Sequence, residues 1–251
     1  MSVRLSALVT AHNEERQLDE CLARLAFADE IVVALDRCTD RSRAVAEARG
    51  ARIIEGAWPI EGERRNAGIA ACSGDWVLEV DADERVTPEL AAEIRAVVST
   101  SRFDRHLIPV DNYIGRHLVR YGWGASFGKS AYPGLFRKGT KTWGKGRVHP
   151  ALHLSGSEGP RLHSPLVHLV DRNISDMLRR LDSYTTARAR DLREHGDPDP
   201  TWKYVRRMFS RFYKCYVRRK GYREGGWGLI IALMAALYPI LSHLKAKLER
   251  E

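Results

Sequence analysis

An apolar run, Trp76-Val-Leu-Glu-Val80, ends abruptly in Asp81-Ala-Asp83-Glu84. Burying those carboxylates unpaired within a strand would be costly. They therefore belong just past the strand's carboxyl end, where open α/β sheets bind ligands. Spaced i, i+2 on extended chain, Asp81 and Asp83 would face the same way. Such a pair suits one hard divalent cation, Mg2+ or Mn2+, together with the oxygens of a diphosphate. The same triplet also reads as ordinary turn chemistry ahead of a helix opened by Thr87-Pro88-Glu89, so its weight depends on what surrounds it.

The elements that must position these acids follow from hydrophobic periodicity. Strands are expected at Leu5–Thr10, Glu30–Leu35, Ala51–Ile54 and the run ending at Val80, each followed by a helical segment. Asn13 is placed to cap the first helix, with Glu14 and Glu15 in its first turn. A second helix starts at Thr39-Asp40, and a third runs from Glu63 to Ala71. Alternating strands and helices with short connections imply α/β architecture with a doubly wound, mostly parallel sheet. Crossover handedness then gathers the strand exits on one edge. His12-Asn13-Glu14, Asp36 and Asp81-Asp83 should meet there. No glycine-rich phosphate loop follows the first strand, which disfavours dinucleotide and P-loop chemistry. The phosphates of a bound nucleotide would instead need a metal on Asp83 and basic groups such as Arg64 or Arg65.

The chain has 251 residues, 44 % hydrophobic and 29 % charged, as expected for a globular protein. Cys21, Cys38, Cys72 and Cys215 are scattered and suggest reduced thiols in the cytoplasm. No secretory h-region is evident at the start of the sequence. The net charge of +9 is concentrated in residues 151–251, which hold 19 Lys and Arg against 11 Asp and Glu.

Leu8-Val-Thr-Ala-His-Asn-Glu-Glu15, Ile31-Val-Val-Ala-Leu-Asp36, Thr39-Asp-Arg-Ser42, Arg65-Asn-Ala-Gly68 and Gly74-Asp-Trp-Val-Leu-Glu-Val-Asp-Ala-Asp-Glu84 occur in an order that resembles family-2 glycosyltransferases, which have the GT-A fold. The likeness continues through Tyr121-Gly-Trp123, Leu135–Gly139 and Val148-His149, and resembles the lipopolysaccharide-core β-glucosyltransferase branch. The resemblance implies that Thr10, His12 and Asn13 line the nucleotide pocket and that Asp36 meets the base. It implies that Arg65 lies near the donor, that Asp81 faces ribose and sugar, and that Asp83 ligates a divalent cation. The spacing from Asp36 to Asp40 is one residue shorter than the common form. Pro150 stands where that branch usually has a glutamate, so position 150 cannot supply a base. Asp111, Glu61 and His149 are candidates for that role, and no spacing argument separates them. His149, His153, His163 and His168 lack zinc-site spacing.

Between residues 104 and 150, a strand at Leu107–Val110 precedes a Gly- and aromatic-rich loop suited to an acceptor. Residues 201–223 contain nine Lys or Arg and no acid. Val205, Met208, Phe209, Phe212, Tyr213, Tyr216 and Val217 recur at helical spacing, and this apolar stripe is expected to face inward. The basic faces suggest an anionic membrane surface. Inward-facing aromatics argue against nucleic acid. Residues 225–244 are uncharged but diluted by Gly, Pro and His, favouring an in-plane or core helix over a span.

The sequence thus implies a GT-A-type catalytic domain over 1–170 and a helical, basic and apolar extension over 171–251. The expected activity is inverting transfer of a hexose from a UDP-sugar to a lipid-linked acceptor such as lipopolysaccharide core, at the inner face of the cytoplasmic membrane. A noncatalytic envelope scaffold and a metal-dependent nucleotidyltransferase are the alternatives.

Overall fold

The computed structural model describes residues 3–123, 129–145, 151–196 and 199–249. The chain divides into two compact units. The first comprises residues 3–110, 130–145 and 151–168, and the second comprises 111–123, 129 and the described residues from 169 onward.

In the first unit, β1 (Leu5–Ala11) is buried at every position, which explains its unbroken apolar character. It lies between β2 (Glu30–Asp36) and β4 (Trp76–Asp81), with β3 (Arg52–Gly56) beyond β2, all parallel. The connections are α1 (Glu15–Ala23), α2 (Ser42–Ala48) and α3 (Glu61–Ala71). The winding runs outward from β1 to β3 and then returns to the other side of β1, creating a topological switch point beside β4. Register places Thr10 opposite Ala34 on one side and Asp81 on the other. The exits of β1, β2 and β4 are therefore adjacent.

Past β4 the chain forms β5 (Glu84–Arg85), α4 (Pro88–Thr100), β6 (Arg105–Ile114), β7 (His117–Val119), β8 (Ala131–Arg137), β9 (Lys141–Trp143), β10 (Leu152–Leu154) and β11 (Leu166–Asp171). The sheet becomes mixed here: β8 is antiparallel to β4 and to β6, and β11 is antiparallel to β5. The core of this unit includes Leu5, Val9, Leu18, Leu22, Trp76, Leu78 and Ile94. Gly62 lets the backbone after β9 approach α3, because a Cβ there would stand 2.3 Å from the Gly144 carbonyl oxygen.

The second unit packs α5 (Ile174–His195), α6 (Thr201–Tyr213) and α7 (Gly225–Leu248) around Met177, Leu181, Cys215, Ile231, Ala235 and Tyr238. The Asn173 side chain caps α5 by accepting from the Asp176 amide at 2.9 Å. By length and composition α7 could cross a membrane, yet 56 % of its apolar window is buried inside the protein. The basic helix ends at Tyr213 and passes through a π turn at Lys214–Arg218 and a 3-10 turn at Gly221–Glu224. Its stripe departs from expectation. Met208, Phe212 and Tyr216 are partly buried, whereas Val205, Phe209, Tyr213 and Val217 face solvent. Periodicity groups residues on a face without revealing which part of that face another element covers.

Candidate active site

The site begins with an acid inside a strand. Glu79 lies in β4 with 1 % of its surface exposed, and it is doubly compensated. Lys141 Nζ reaches Glu79 Oε2 at 2.6 Å, and Arg65 Nη1 donates to Glu79 Oε1 at 2.7 Å. Burial opposes the Glu79 charge, but Lys141 and Arg65 outweigh it and hold the carboxyl below its ordinary range.

Arg65 continues the network outward. Its Nη2 donates to Asp81 Oδ1 at 2.8 Å, and its Nε donates to Glu61 Oε1 at 2.8 Å, one helical turn earlier on α3. Trp143 borders the cluster, its ring centroid 5.0 Å from the Arg65 guanidinium carbon and 4.9 Å from Lys141 Nζ. Burial works against the Arg65 charge, yet Asp81, Glu79 and Glu61 hold the guanidinium well above the usual arginine range. Asn66 fixes the neighbouring β9 backbone through two bonds with Trp143: its Nδ2 donates to the carbonyl and its Oδ1 accepts from the amide.

Asp81 and Asp83 do not lie side by side as the extended-chain reading required. The chain turns at Ala82-Asp83, and the two carboxylates take different partners. Asp81 joins Arg65, while Asp83 Oδ2 stands 3.3 Å from His168 Nε2 on β11. Glu84 is fully buried and accepts from the Asp81 amide at 2.9 Å, which tightens the turn. Glu14 lies nearby: burial first, and then the Asp83 charge, push its carboxyl up. Asp83 and His168 are an oxygen and a nitrogen donor on adjoining backbone. Among the described residues no third His, Cys, Asp or Glu completes a protein-only cage. That donor set fits a hard cation completed by water and substrate phosphates.

At the other end of the edge, Asp36 is buried, and burial opposes its charge. Arg37, the Trp58 amide and Arg64 outweigh that effect and lower its pKa below the ordinary carboxylate value. Arg37 donates to both carboxylate oxygens, at 2.9 and 2.7 Å, and the Trp58 amide donates at 3.1 Å. Arg64 Nη1 lies 3.8 Å from Asp36, and its buried Nε has no hydrogen-bond partner among the described residues. His12 Nδ1 lies 2.5 Å from the Asp36 carbonyl, so the protonated nitrogen donates there. Asn13 does not cap the first helix, whose N-cap position is Glu14. In the left-handed region, at φ 57°, Asn13 instead accepts from the Thr39 and Asp40 amides through Oδ1 and ties the exits of β1 and β2 together.

Thr10, His12, Asn13, Asp36, Arg65, Asp81, Asp83 and Glu61 all belong to this edge or to the network beneath it. Asp111 lies on β6 in the second unit, and His149 is outside the described residues. Glu79, Lys141, Trp143 and His168 are the additions. An acid within an otherwise apolar strand was the available signal for Glu79. Nothing local marks its partner Lys141.

The family model "Glycosyl transferase family 2" matches residues 6–140. The chain belongs to that family and is a glycosyltransferase. Across 96 % of its length it is 26 % identical to the lipopolysaccharide core biosynthesis glycosyltransferase LpsC of Rhizobium meliloti, covering 91 % of that protein. Across 98 % it is 21 % identical to an uncharacterized glycosyltransferase of Rickettsia bellii, covering 87 % of it. Among solved structures, TarS 1-349 of S. aureus matches 94 % of this chain and 81 % of its own, with a TM-score of 0.52 and 15 % identity. That likeness concerns the fold, which is α/β of the GT-A type.

Proposed function

We propose that the enzyme transfers a hexose, with inversion, from a UDP-sugar to a lipid-anchored saccharide of the cell envelope such as lipopolysaccharide core. The observation that carries this reading is the paired arrangement at the β4 exit. Asp81 is oriented from beneath by Arg65, and Asp83 stands against His168 two residues on. Asp36 and Arg64 would receive the nucleoside, with Asp81 directed to ribose and sugar. Asp83 and His168 would hold Mg2+ or Mn2+, which supplies electrostatic stabilisation for charge growing on the departing diphosphate. Relatedness to LpsC supports the acceptor class.

In the transfer, an acceptor hydroxyl oxygen bonds to the anomeric carbon as the bond from that carbon to the diphosphate oxygen breaks. UDP leaves with the electron pair, and the hydroxyl proton passes to a base. Glu61, Asp111 and His149 are the candidates for that base. Glu61 Oε1 already accepts from Arg65 Nε at 2.8 Å within the network beneath Asp81. The helical second unit, centred on residues 171–251, is assigned to the acceptor and to an anionic membrane, with the enzyme peripheral at the cytoplasmic face.

The test is UDP release by purified protein given Mn2+, a panel of nucleotide sugars and a lipid-linked oligosaccharide. UDP-hexose turnover that disappears in Asp83→Ala supports the proposal. Failure to bind any UDP-sugar would sink it.

A further inference from the structure

Helix α6 and the π turn that follows it expose large apolar side chains along one line. Trp202, Val205, Phe209, Tyr213 and Val217 are separated by three, four, four and four residues, and Trp202 and Phe209 are 61 % and 66 % exposed. The opposite face, through Tyr204 and Cys215, is buried. A contiguous apolar stripe left in water marks an interaction surface.

The cations of this region fall into two groups. Arg207 is engaged with Asp199 at 2.6 Å, and Arg211 is half-buried over the Tyr238 ring at 5.4 Å. Arg206, Lys214 and Arg218 are exposed, and among the described residues none of them pairs with a carboxylate. On a helical projection Arg206 and Lys214 lie to one side of the stripe, between its apolar edge and the buried face. An apolar line with cations along its flank matches a bilayer surface, where acyl carbon and phosphate lie at different depths. Trp and Tyr suit the boundary between them.

Other occupants match less well. A two-fold contact between copies along this stripe would bring Arg206 and Lys214 towards their own equivalents. Single-stranded nucleic acid would use the aromatic rings but leave Val205 and Val217 with nothing to stack. From Trp202 to Tyr213 the stripe is only about 17 Å long, too short to span a bilayer of about 30 Å and suited to lying in its plane.

We infer that the exposed face of α6 and its π turn is a lipid-docking surface that lies flat on an anionic phospholipid bilayer, with Trp202, Phe209 and Tyr213 entering the interface and Arg206, Lys214 and Arg218 meeting lipid phosphates. This deepens the membrane partner of the preceding proposal. It also moves the lipid contact away from Arg207 and Arg211, which the sequence alone places among the basic faces.

The experiment is co-sedimentation of the full chain with vesicles of equal parts phosphatidylglycerol and phosphatidylcholine, and with pure phosphatidylcholine. Wild type should favour the anionic vesicles. Arg206→Gln with Lys214→Gln and Arg218→Gln should lower partitioning roughly a hundredfold, at about fivefold per cation near the surface. Arg24→Gln with Arg49→Gln and Arg102→Gln removes the same charge from the first unit and should change partitioning little. Brominated acyl chains should quench wild-type tryptophan fluorescence, and the conservative Trp202→Phe should remove part of that quenching. Equal losses in the two triple variants, or quenching unchanged in Trp202→Phe, would overturn the proposal. So would vesicle binding that persists while the α6 triple variant loses self-association or RNA binding. UDP-sugar affinity measured calorimetrically on the same proteins, without vesicles, separates failure of this surface from failure of the donor-site reading.

Discussion

Arg65 Nη2 and Asp81 Oδ1 are joined at 2.8 Å, and the same guanidinium also contacts Glu61 and Glu79. The basic group nearest the acids at the β4 exit is thus saturated by carboxylates before any substrate arrives. Its role is to hold Asp81 in one orientation above a buried Glu79–Lys141 pair, a positioning role in which rigidity is the useful product.

The Glu79–Lys141 pair should be expensive to break. Both side chains are almost fully buried, so Lys141→Met leaves part of a buried carboxylate uncompensated. The expected loss is about 3–5 kcal/mol in urea unfolding. Glu79→Leu combined with Lys141→Met removes both charges but leaves Arg65 with two of its three partners, and it should recover part of that loss. A double variant no more stable than Lys141→Met would argue against charge compensation as the main term.

Acid stability should carry the Glu79 signature. Its folded-state pKa is depressed below the ordinary value of 4.5. The carboxylate is therefore deprotonated more readily in the folded protein than in the unfolded chain. Its contribution is complete above that ordinary value and disappears as pH falls through the depressed folded value. Glu79→Gln should flatten the slope of unfolding free energy against pH in this acidic window. It should leave the slope between pH ~6 and ~8 as in wild type, since the glutamate ionises well below that range. Chemical denaturation across the two windows measures both slopes.

Much of this edge is legible in the chain because parallel sheets write their topology locally. Apolar runs at Leu5–Ala11, Glu30–Asp36 and Trp76–Asp81 alternate with helices, and the acids sit where the runs stop. The pairing of those acids is not legible. Lys141 and His168 arrive long after the strand they serve, Lys141 on β9, which pairs with β10, and His168 on β11, which pairs antiparallel with β5. Side-chain contacts across such separations leave no periodic trace. The Asp81-Ala-Asp83 spacing suggested parallel carboxylates only because the chain was taken as extended, and a turn at Ala82 separates them. The α6 stripe likewise fixed which residues share a face but not that much of it remains uncovered.

Arg64 and Arg65 should separate by function despite being neighbours. Arg64 has an unfilled buried Nε and lies beside Asp36, whereas Arg65 has three carboxylates. Arg64→Gln should weaken UDP binding by about 10- to 100-fold, the worth of one charge-assisted hydrogen bond, with little change in unfolding free energy. Arg65→Gln should lower stability first, because it strands Glu79 and Asp81. Calorimetric titration with UDP beside urea unfolding reads both effects. The reverse pattern would return the donor contact to Arg65.

Asp83 and His168 should act together in metal dependence. Chelation of divalent cations should abolish UDP-sugar turnover, and Mn2+ should restore it. His168→Gln removes one of the two donors standing 3.3 Å apart and should raise the Mn2+ concentration for half-maximal activity by more than about tenfold. Asp83→Asn, which loses the anionic donor, should raise it further. Asp81→Asn should instead reduce sugar-nucleotide affinity at saturating Mn2+, because its carboxylate faces Arg65 and not His168. If His168→Gln leaves the Mn2+ requirement unchanged while Asp83→Asn raises it, the histidine merely orients the carboxylate. Identical Mn2+ curves for both variants and wild type would remove the cation from this turn altogether.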